Sequence, residues 1–255
     1  MTNNHPEVEN IIMPVSGVGN WGSGSYSTAA IHFASLRESL KEEFDMPVLP
    51  PVIPTGLGFF ETMKNTYQHF EEDVEKTADV YPNARILFVA HSLGGLLCRE
   101  LIGREQTSNS RYIGAITLGS PHRGMPQNFP LFSRKIAEIN SFADNVTTLW
   151  PRLKKGPSLA LVSTSHDIVV PPKSALPPLS RANRYFLSDS AELPPELEGV
   201  TLVNSQRIDH LGLVFHRQAI ELVSSLASEL IEKRNSSAPR RNLANRPVIR
   251  LNKTG

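Results

Sequence analysis

Short apolar segments alternate with longer amphipathic segments along most of this chain. Six apolar segments of four to six residues are rich in branched side chains, which is typical of parallel strands buried on both faces. They are Ile11–Val15, Val48–Ile53, Ile86–Ala90, Ile113–Leu118, Leu159–Ser163 and Val200–Val203. Between them, apolar positions recur every three or four residues in segments that include Thr28–Glu43, Phe60–Val80, Leu93–Gln106 and Val214–Lys233. This alternation predicts an α/β domain with a doubly wound parallel sheet.

The second apolar segment differs from the others in its proline content. Prolines occupy positions 47, 50, 51 and 54, within the segment or beside it. A proline has no backbone N–H, so a strand that contains several prolines cannot be paired along both of its edges. We therefore expect residues 48–53 to form an edge strand.

The charge of the chain is unevenly distributed. Residues 1–233 contain 20 basic and 25 acidic residues, whereas residues 234–255 contain six basic residues and no acidic one. The first part predicts one folded domain, and the polar, basic second part predicts a disordered tail. A mildly acidic domain offers no broad positive surface, so we expect no nucleic-acid partner.

Composition also restricts the cofactors and the location of the protein. Cys98 is the only cysteine, which excludes an intramolecular disulfide and predicts a core thiol. No group of His, Asp and Glu has metal-ligand spacing, so neither a metal nor an organic cofactor is expected. No apolar run approaches the roughly 18 residues that span a bilayer, and the first ten residues do not resemble a signal peptide. These features predict a cytoplasmic protein without a transmembrane segment.

The third apolar segment continues directly into the sequence HSLGG, residues 91–95, and then into a helical segment. A serine at such a strand–turn–helix junction projects from the carboxyl end of the sheet. The residues two before and two after it must be small, because strand and helix nearly collide there. Ala90 and Gly94 satisfy this requirement. The pattern predicts that Ser92 is a nucleophile, with a buried or helix-capping serine as the alternative.

The sequence AHSLGGLL at residues 90–97 resembles the nucleophile turn of bacterial lipases and lipase-like deacylases, which are α/β-hydrolases. The sequence LGSPHRG at residues 118–124 is similar to a second stretch of that group, in which the residue matching His122 is structural. The likeness spans most of residues 10–233 and implies the α/β-hydrolase fold. In that fold, the proline-rich segment becomes an edge strand only when an early antiparallel hairpin is missing. Only ten residues precede the first strand, so we expect a minimal, roughly six-stranded parallel sheet with helices on both faces.

A serine hydroxyl attacks an ester only when a histidine accepts its proton and a carboxylate orients that histidine. In α/β-hydrolases, the acid and then the histidine follow the serine along the chain, each in a loop after a later strand. Asp167 follows the fifth apolar segment and His210 follows the sixth. Both loops also resemble those of the family, so we predict Asp167 and His210 as the partners of Ser92. Asp209 and Asp144 are the alternative acids.

Two backbone amides are expected to stabilise the oxyanion of the tetrahedral intermediate. One is the N–H of Leu93, at the start of the helix. The resemblance implies the N–H of Val18 as the other, because the family has H-G-x where this chain has Ser16-Gly17-Val18. The same loop contains GVGNWG, which matches a dinucleotide-binding G-x-G-x-x-G, but the next strand does not end in the acid that this fingerprint requires.

Substrate contacts are predicted from apolar residues near the site. Residues 121–157 carry a helical apolar stripe, which indicates either a helix that covers the sheet or an acyl-binding wall. Residues 125–132 are the candidate lid. The candidate substrate-binding side chains are Trp21, Phe132 and Trp150.

The sequence therefore predicts a serine carboxylic-ester hydrolase that acts on a small-molecule or lipid ester. An acyltransferase or a thioesterase with the same triad is the nearest alternative. A relative without catalytic activity, which binds an acyl ligand or a protein, is the alternative from another class. A nicotinamide oxidoreductase is disfavoured by the missing acid.

Overall fold

The computed structural model describes residues 8–17, 26–53, 62–105, 110–126, 133–150 and 157–237. Strands and helices alternate along these residues, as the sequence predicts. The strands are β1 (Asn10–Val15), β2 (Arg85–His91), β3 (Tyr112–Leu118), β4 (Ser158–Thr164), β5 (Ala182–Ser188) and β6 (Thr201–Asn204). The helices are α1 (Tyr26–Glu43), α2 (Met63–Val80), α3 (Leu93–Arg104), α4 (Ser133–Leu149), α5 (Pro172–Ala175) and α6 (Arg217–Ser237).

The six strands form one parallel sheet in the chain order β1-β2-β3-β4-β5-β6. Strands β3 and β4 are buried along their whole length, and β2 is buried from its second residue onward. Burial on both faces explains why these sequences are continuously apolar rather than alternating. Parallel pairing also brings the carboxyl ends of all the strands to one edge of the sheet, which we call the carboxyl edge.

Two apolar cores cover the two faces of the sheet. Helices α2, α3 and α4 contribute to the core on one face, and α1 and α6 contribute to the core on the other. The apolar stripe of α4 is buried at Ile136, Ile139 and Val146, and α4 contacts α2 and α3. The stripe is therefore buried in the core, where α4 packs against α2 and α3.

The proline-rich segment lies at the edge of the sheet, but it forms less strand than expected. Val48 pairs with Ile12 and Val52 pairs with Val15, as two isolated parallel bridges beside β1. Pro50 and Pro51 separate these bridges and have no N–H to donate. The expected edge position is found, whereas a continuous strand over residues 48–53 is not.

Five of the six strands coincide with predicted apolar segments. The remaining strand, β5, was not predicted from the sequence. Its sequence, ANRYFLS, begins with polar residues, and only its last three residues are buried. A peripheral strand of this kind has no continuous apolar run. The described residues contain six strands, the expected number, but the set includes β5, between β4 and β6, and not a strand over residues 48–53 beside β1.

The last helix extends beyond the expected end of the domain at residue 233. It reaches Ser237, and its last turns contact the body of the protein. The Arg234 guanidinium donates to the Ser110 carbonyl at 3.0 Å, and Arg85 donates to the Asn235 side chain at 2.6 Å. The boundary therefore lies at least four residues later. Most of the predicted tail, residues 238–255, is outside the described residues.

Candidate active site

Ser92 occupies a strained turn between β2 and α3. Its backbone has φ 53° and ψ −130°, and a positive φ at a residue other than glycine costs about 1–3 kcal/mol. Its N–H donates to the Leu118 carbonyl of the neighbouring strand at 2.8 Å, which fixes the turn. Although Ser92 stands at the N-cap of α3, its side chain makes no capping hydrogen bond. The alternative that Ser92 is a helix-capping serine is therefore not supported.

Glycines allow the backbone to pack closely around Ser92. A Cβ added to Gly94 would lie 2.8 Å from the Val15 carbonyl oxygen, so a larger residue would collide with the end of β1. A Cβ added to Gly17 would lie 2.6 Å from the Ser92 Cβ and 3.2 Å from the Leu93 nitrogen. The loop after β1 thus lies directly against the serine turn, and Val18 is the next residue along that loop.

Asp167 and His210 form a buried hydrogen-bonded pair at the carboxyl edge. His210 Nδ1 donates to Asp167 Oδ2 at 2.7 Å. The other carboxylate oxygen, Oδ1, accepts from the N–H groups of Val169 and Val170 at 2.9 and 2.8 Å. Because Nδ1 carries the donated proton, the Nε2 of a neutral His210 is free to act as a base.

The His210 loop returns from the end of β6 to the serine turn. β6 is at the far edge of the sheet, and β3, β4 and β5 lie between it and β2. Two hydrogen bonds hold the loop in this position: Thr164 Oγ1 donates to the Ile208 carbonyl at 2.7 Å, and His91 Nε2 donates to the His210 carbonyl at 2.9 Å. The rings of His91 and His210 are 4.6 Å apart between centroids. His210 is thereby brought against the residue that precedes Ser92.

Gly119 lies directly beneath the Asp167–His210 pair. It follows β3 with φ +56°, and an added Cβ would lie 2.9 Å from both Asp167 Oδ2 and His210 Nδ1. A larger residue here would need an unfavourable backbone conformation and would displace the pair. In the sequence, Gly119 stands within the motif LGSPHRG, and nothing there indicates this role.

The alternative acids, Asp209 and Asp144, are exposed, and His122 is buried. Asp209 is exposed, and its Oδ1 accepts from the Gly212 N–H at 2.7 Å, which shapes the turn after His210. Asp144 is exposed on α4. His122 is completely buried, and its Nε2 lies 2.9 Å from Thr117 Oγ1. Burial, with a smaller effect of the Arg99 charge, holds the pKa of His122 well below its ordinary value, so this imidazole is neutral at pH 7.

Arg99 is a supporting residue that the sequence analysis missed. It is completely buried in α3 and donates to the His122 carbonyl at 3.2 Å and to Thr147 Oγ1 at 3.0 Å. Burial lowers the pKa of Arg99 to about 10, so the guanidinium remains charged at neutral pH. Arg99 ties the loop after β3, which begins with Gly119, to α3 and α4. The only signal in the sequence is a charged residue inside the apolar start of α3.

Of the three expected substrate-binding side chains, Trp150 is the one within the described residues. Trp150 is buried near the amino ends of the strands, whereas Ser92 is at the carboxyl edge. The Trp150 Nε1 donates to the Ser180 carbonyl, just before β5, at 2.7 Å. Trp150 is therefore a core residue, and its assignment to substrate binding is wrong. Val18, Trp21 and Phe132 lie outside the described residues. So does most of the candidate lid, although its first residue, Met125, is held by two hydrogen bonds to Asn140.

The described residues hold neither a metal cluster nor a membrane-spanning helix. Within them, no group of three or more His, Cys, Asp or Glu side chains is arranged to hold a metal ion. None of the helices in the described ranges is long and apolar enough to cross a bilayer. The expected cytoplasmic location stays a prediction.

Comparison with known sequences links this site to esterases. Residues 53–168, which include the Ser92 turn and Asp167, match the family described as "Putative serine esterase (DUF676)". The GPI inositol-deacylase of Candida albicans is 28% identical over 171 residues, which are 66% of this chain and 36% of the deacylase. This chain thus spans about a third of the length of that relative.

Comparison with solved structures gives the same fold. Est1E from Butyrivibrio proteoclasticus has a TM-score of 0.55 and 14% identity, with 91% of each chain covered. The esterase domain of a Rhodothermus marinus protein has a TM-score of 0.54 and 13% identity, with 89% of this chain and 88% of that chain covered. The fold is that of the α/β-hydrolases. In sequence, the chain is similar to serine esterases over residues 53–168 and to a deacylase over 171 residues.

Proposed function

We propose that this protein hydrolyses carboxylic esters through an acyl-enzyme on Ser92, with His210 as the general base and Asp167 as the residue that orients it. The observation that carries the proposal is the 2.7 Å bond from His210 Nδ1 to Asp167 Oδ2, beside a serine turn whose hydroxyl caps no helix. This arrangement leaves one imidazole nitrogen as an acceptor next to the serine loop, which is what a serine nucleophile requires.

The reaction has two halves. His210 Nε2 accepts the Ser92 hydroxyl proton while Oγ attacks the acyl carbon, and the same proton then passes to the departing alcohol. In the second half, water attacks the acyl-enzyme, gives its proton to His210, and releases the carboxylic acid as the proton returns to Ser92. Throughout, Asp167 stabilises the imidazolium and remains a carboxylate.

The oxyanion in both halves is proposed to bind the N–H groups of Leu93 and Val18. Leu93 is the first residue of α3, so its N–H has no partner within the helix. Gly17 approaches the serine turn so closely that an added Cβ would lie 3.2 Å from the Leu93 nitrogen, and this proximity supports a second donor from the loop after β1. Fixed amides of this kind contribute about 3–4 kcal/mol each to stabilisation of the transition state.

The substrate class is proposed from the relatives. A deacylase and an esterase domain among them favour an acyl group esterified to an alcohol, rather than a thioester. The matched segment covers 36% of the deacylase. We therefore do not assign the substrate of the deacylase to this chain.

The test is a panel of nitrophenyl esters and matched thioesters of increasing acyl length. We expect ester turnover, and we expect Ser92→Ala to lower kcat by at least about 10³-fold with an unchanged melting temperature. Ser236→Ala, which changes an exposed serine at the far end of α6, is the matched control and should behave as the parent protein. Equal activity of the Ser92→Ala and Ser236→Ala proteins would refute the proposal. Preference for thioesters would refute the substrate class alone.

A further inference from the structure

Arg99 is a buried cation with no hydrogen-bonded carboxylate among the described residues. Its guanidinium donates to two neutral acceptors, the His122 carbonyl oxygen and Thr147 Oγ1, and its Nε has no acceptor there. The carboxylate of the neighbouring Glu100 accepts from Arg104 instead, at 2.6 Å. Burying a guanidinium against neutral acceptors is a poor source of stability, because the charge loses its hydration. The retained charge therefore points to a role other than stability.

The loop at residues 119–124 lies against the face of α3 that carries Arg99. Gly95 and Arg99 are one helical turn apart and share this face. Gly95 approaches the loop so closely that an added Cβ would lie 2.8 Å from the Ser120 Cβ and would overlap its Oγ. One turn later, Arg99 Nη1 donates to the His122 carbonyl at 3.2 Å. The loop is therefore held on the helix that begins directly after the proposed nucleophile.

The same loop also contacts the acid and the histidine. At its start, a Cβ added to Gly119 would lie 2.9 Å from both Asp167 Oδ2 and His210 Nδ1. At its end, the Gly124 carbonyl accepts from the hydroxyl of Ser174, which follows Asp167 in the next segment of the chain. A shift of the loop along α3 would therefore shift the pair relative to the serine.

We propose that Arg99 is a positioning residue for the hydrolysis: by holding residues 119–124 on α3, it sets the separation between Ser92 Oγ and His210 Nε2. This inference rests on the proposed function, because Arg99 acts on turnover through the triad. A guanidinium suits the task, because its rigid planar fork holds two acceptors at once, one on the loop and one on α4. A misplacement of about 1 Å between reacting groups lowers the rate on the order of 10²-fold.

The first test compares two arginines that each tie a segment to a helix. Arg99→Met keeps an apolar stem but removes the charge and every donor. On an activated soluble ester, we expect kcat to fall about 30-fold or more and KM to change less than about threefold. Arg37→Met is the matched control, because Arg37 Nε donates to the Val48 and Leu49 carbonyls at 3.4 and 3.2 Å, away from the triad. Its kcat should stay within about twofold of the parent.

Two further variants separate positioning from a general loss of structure. Arg99→Lys keeps the charge and a donor, so we expect it to recover at least about a third of the lost kcat. Thr147→Val is a milder change, in case Arg99→Met does not fold. Valine keeps the shape of threonine but removes one acceptor of Arg99, and we expect kcat to fall about threefold to tenfold with KM nearly unchanged.

A second readout does not depend on turnover. The short bond to Asp167 shifts the NMR signal of the His210 Nδ1 proton far downfield, so this signal reports on the geometry of the pair. We expect the signal to move or broaden in Arg99→Met and in Thr147→Val. In Arg37→Met it should match that of the parent.

The outcomes distinguish this inference from the proposed function. Equal kcat in Arg99→Met and Arg37→Met would overturn the positioning role, and so would a higher KM with unchanged kcat. A lower kcat that Arg99→Lys does not relieve, with an unchanged His210 signal, would also overturn it. In each of these cases a parent that cleaves esters keeps the proposed function. A parent that cleaves no ester, but whose His210 signal moves in Arg99→Met alone, would sink the proposed function and leave Arg99 as the residue that positions the pair.

Discussion

Asp209 is next to His210 in the chain, and Asp167 is next to it in space. Only the Asp167 carboxylate bonds the imidazole. Asp167 reaches Nδ1 from the end of β4, while Asp209, the sequence neighbour, turns away to bind the Gly212 N–H. Adjacent side chains on a loop point apart, so sequence adjacency is a poor guide to the acid.

We expect Asp167→Asn to lower kcat on an activated ester by up to about 10⁴-fold, because an amide no longer selects the tautomer with its proton on Nδ1. Asp209→Asn is the matched variant. Its amide oxygen can still accept from Gly212, so activity should stay within a fewfold of the parent. Steady-state kinetics of both proteins measure the two effects. A large loss of kcat in Asp209→Asn, with nearly normal kcat in Asp167→Asn, would show that Asp209 is the acid.

Gly119 provides a second test of the pair. Gly119→Ala should lower kcat by at least about 10²-fold, because its Cβ would lie 2.9 Å from both atoms of the 2.7 Å Asp167–His210 bond. Gly199→Ala is the control: it also has a positive φ, +70°, but its added Cβ would meet only the flexible end of Arg184. Both variants should lose about 1 kcal/mol of unfolding free energy in urea titrations. Equal kcat losses in the two would show that backbone strain, and not contact with the pair, is responsible.

Among the strands and helices, burial decides how well each was predicted. β2, β3 and β4 are buried on both faces, and their continuous apolar runs identified them. β5 is buried only at its last three residues, so its polar start concealed it. Residues 48–53 are apolar because they flank β1, but their prolines reduce them to two bridges.

The end of α6 gives a prediction about truncation. A chain that ends after Ser237 should keep its melting temperature and its ester turnover, because the removed segment is polar and basic and contains no acidic residue, a composition that does not build a packed core. A chain that ends after Glu229 loses the buried Leu230 and Ile231 and the Arg234–Ser110 bond. We expect that loss to cost about 4 kcal/mol, a large share of the stability of a typical domain. Thermal unfolding of the two proteins measures the difference, and equal melting temperatures would contradict the role of the last turns.

For the whole molecule, the alternation of strands and helices predicted the layered fold, and the AHSLGG turn predicted where the nucleophile would stand. The order of acid and histidine along the chain followed from the family resemblance. The return of the His210 loop past three strands could not be predicted from the sequence. Two hydrogen bonds hold that loop, and they join residues that are far apart in the chain: Thr164 and Ile208 are 44 positions apart, and His91 and His210 are 119 positions apart. Gly119 and Arg99 were missed for the same reason: their roles depend on contacts made only in the folded chain.

The proposed mechanism requires Ser92 to be an activated nucleophile. Reaction of the folded protein with a fluorophosphonate, followed by peptide mapping, tests this without any assumption about the substrate. We expect one modified residue, Ser92, and no modification once the protein is unfolded or carries Ser92→Ala, because only a serine activated by His210 reacts at an appreciable rate. Labelling of a different serine, or an unlabelled Ser92 in the folded protein, would contradict it.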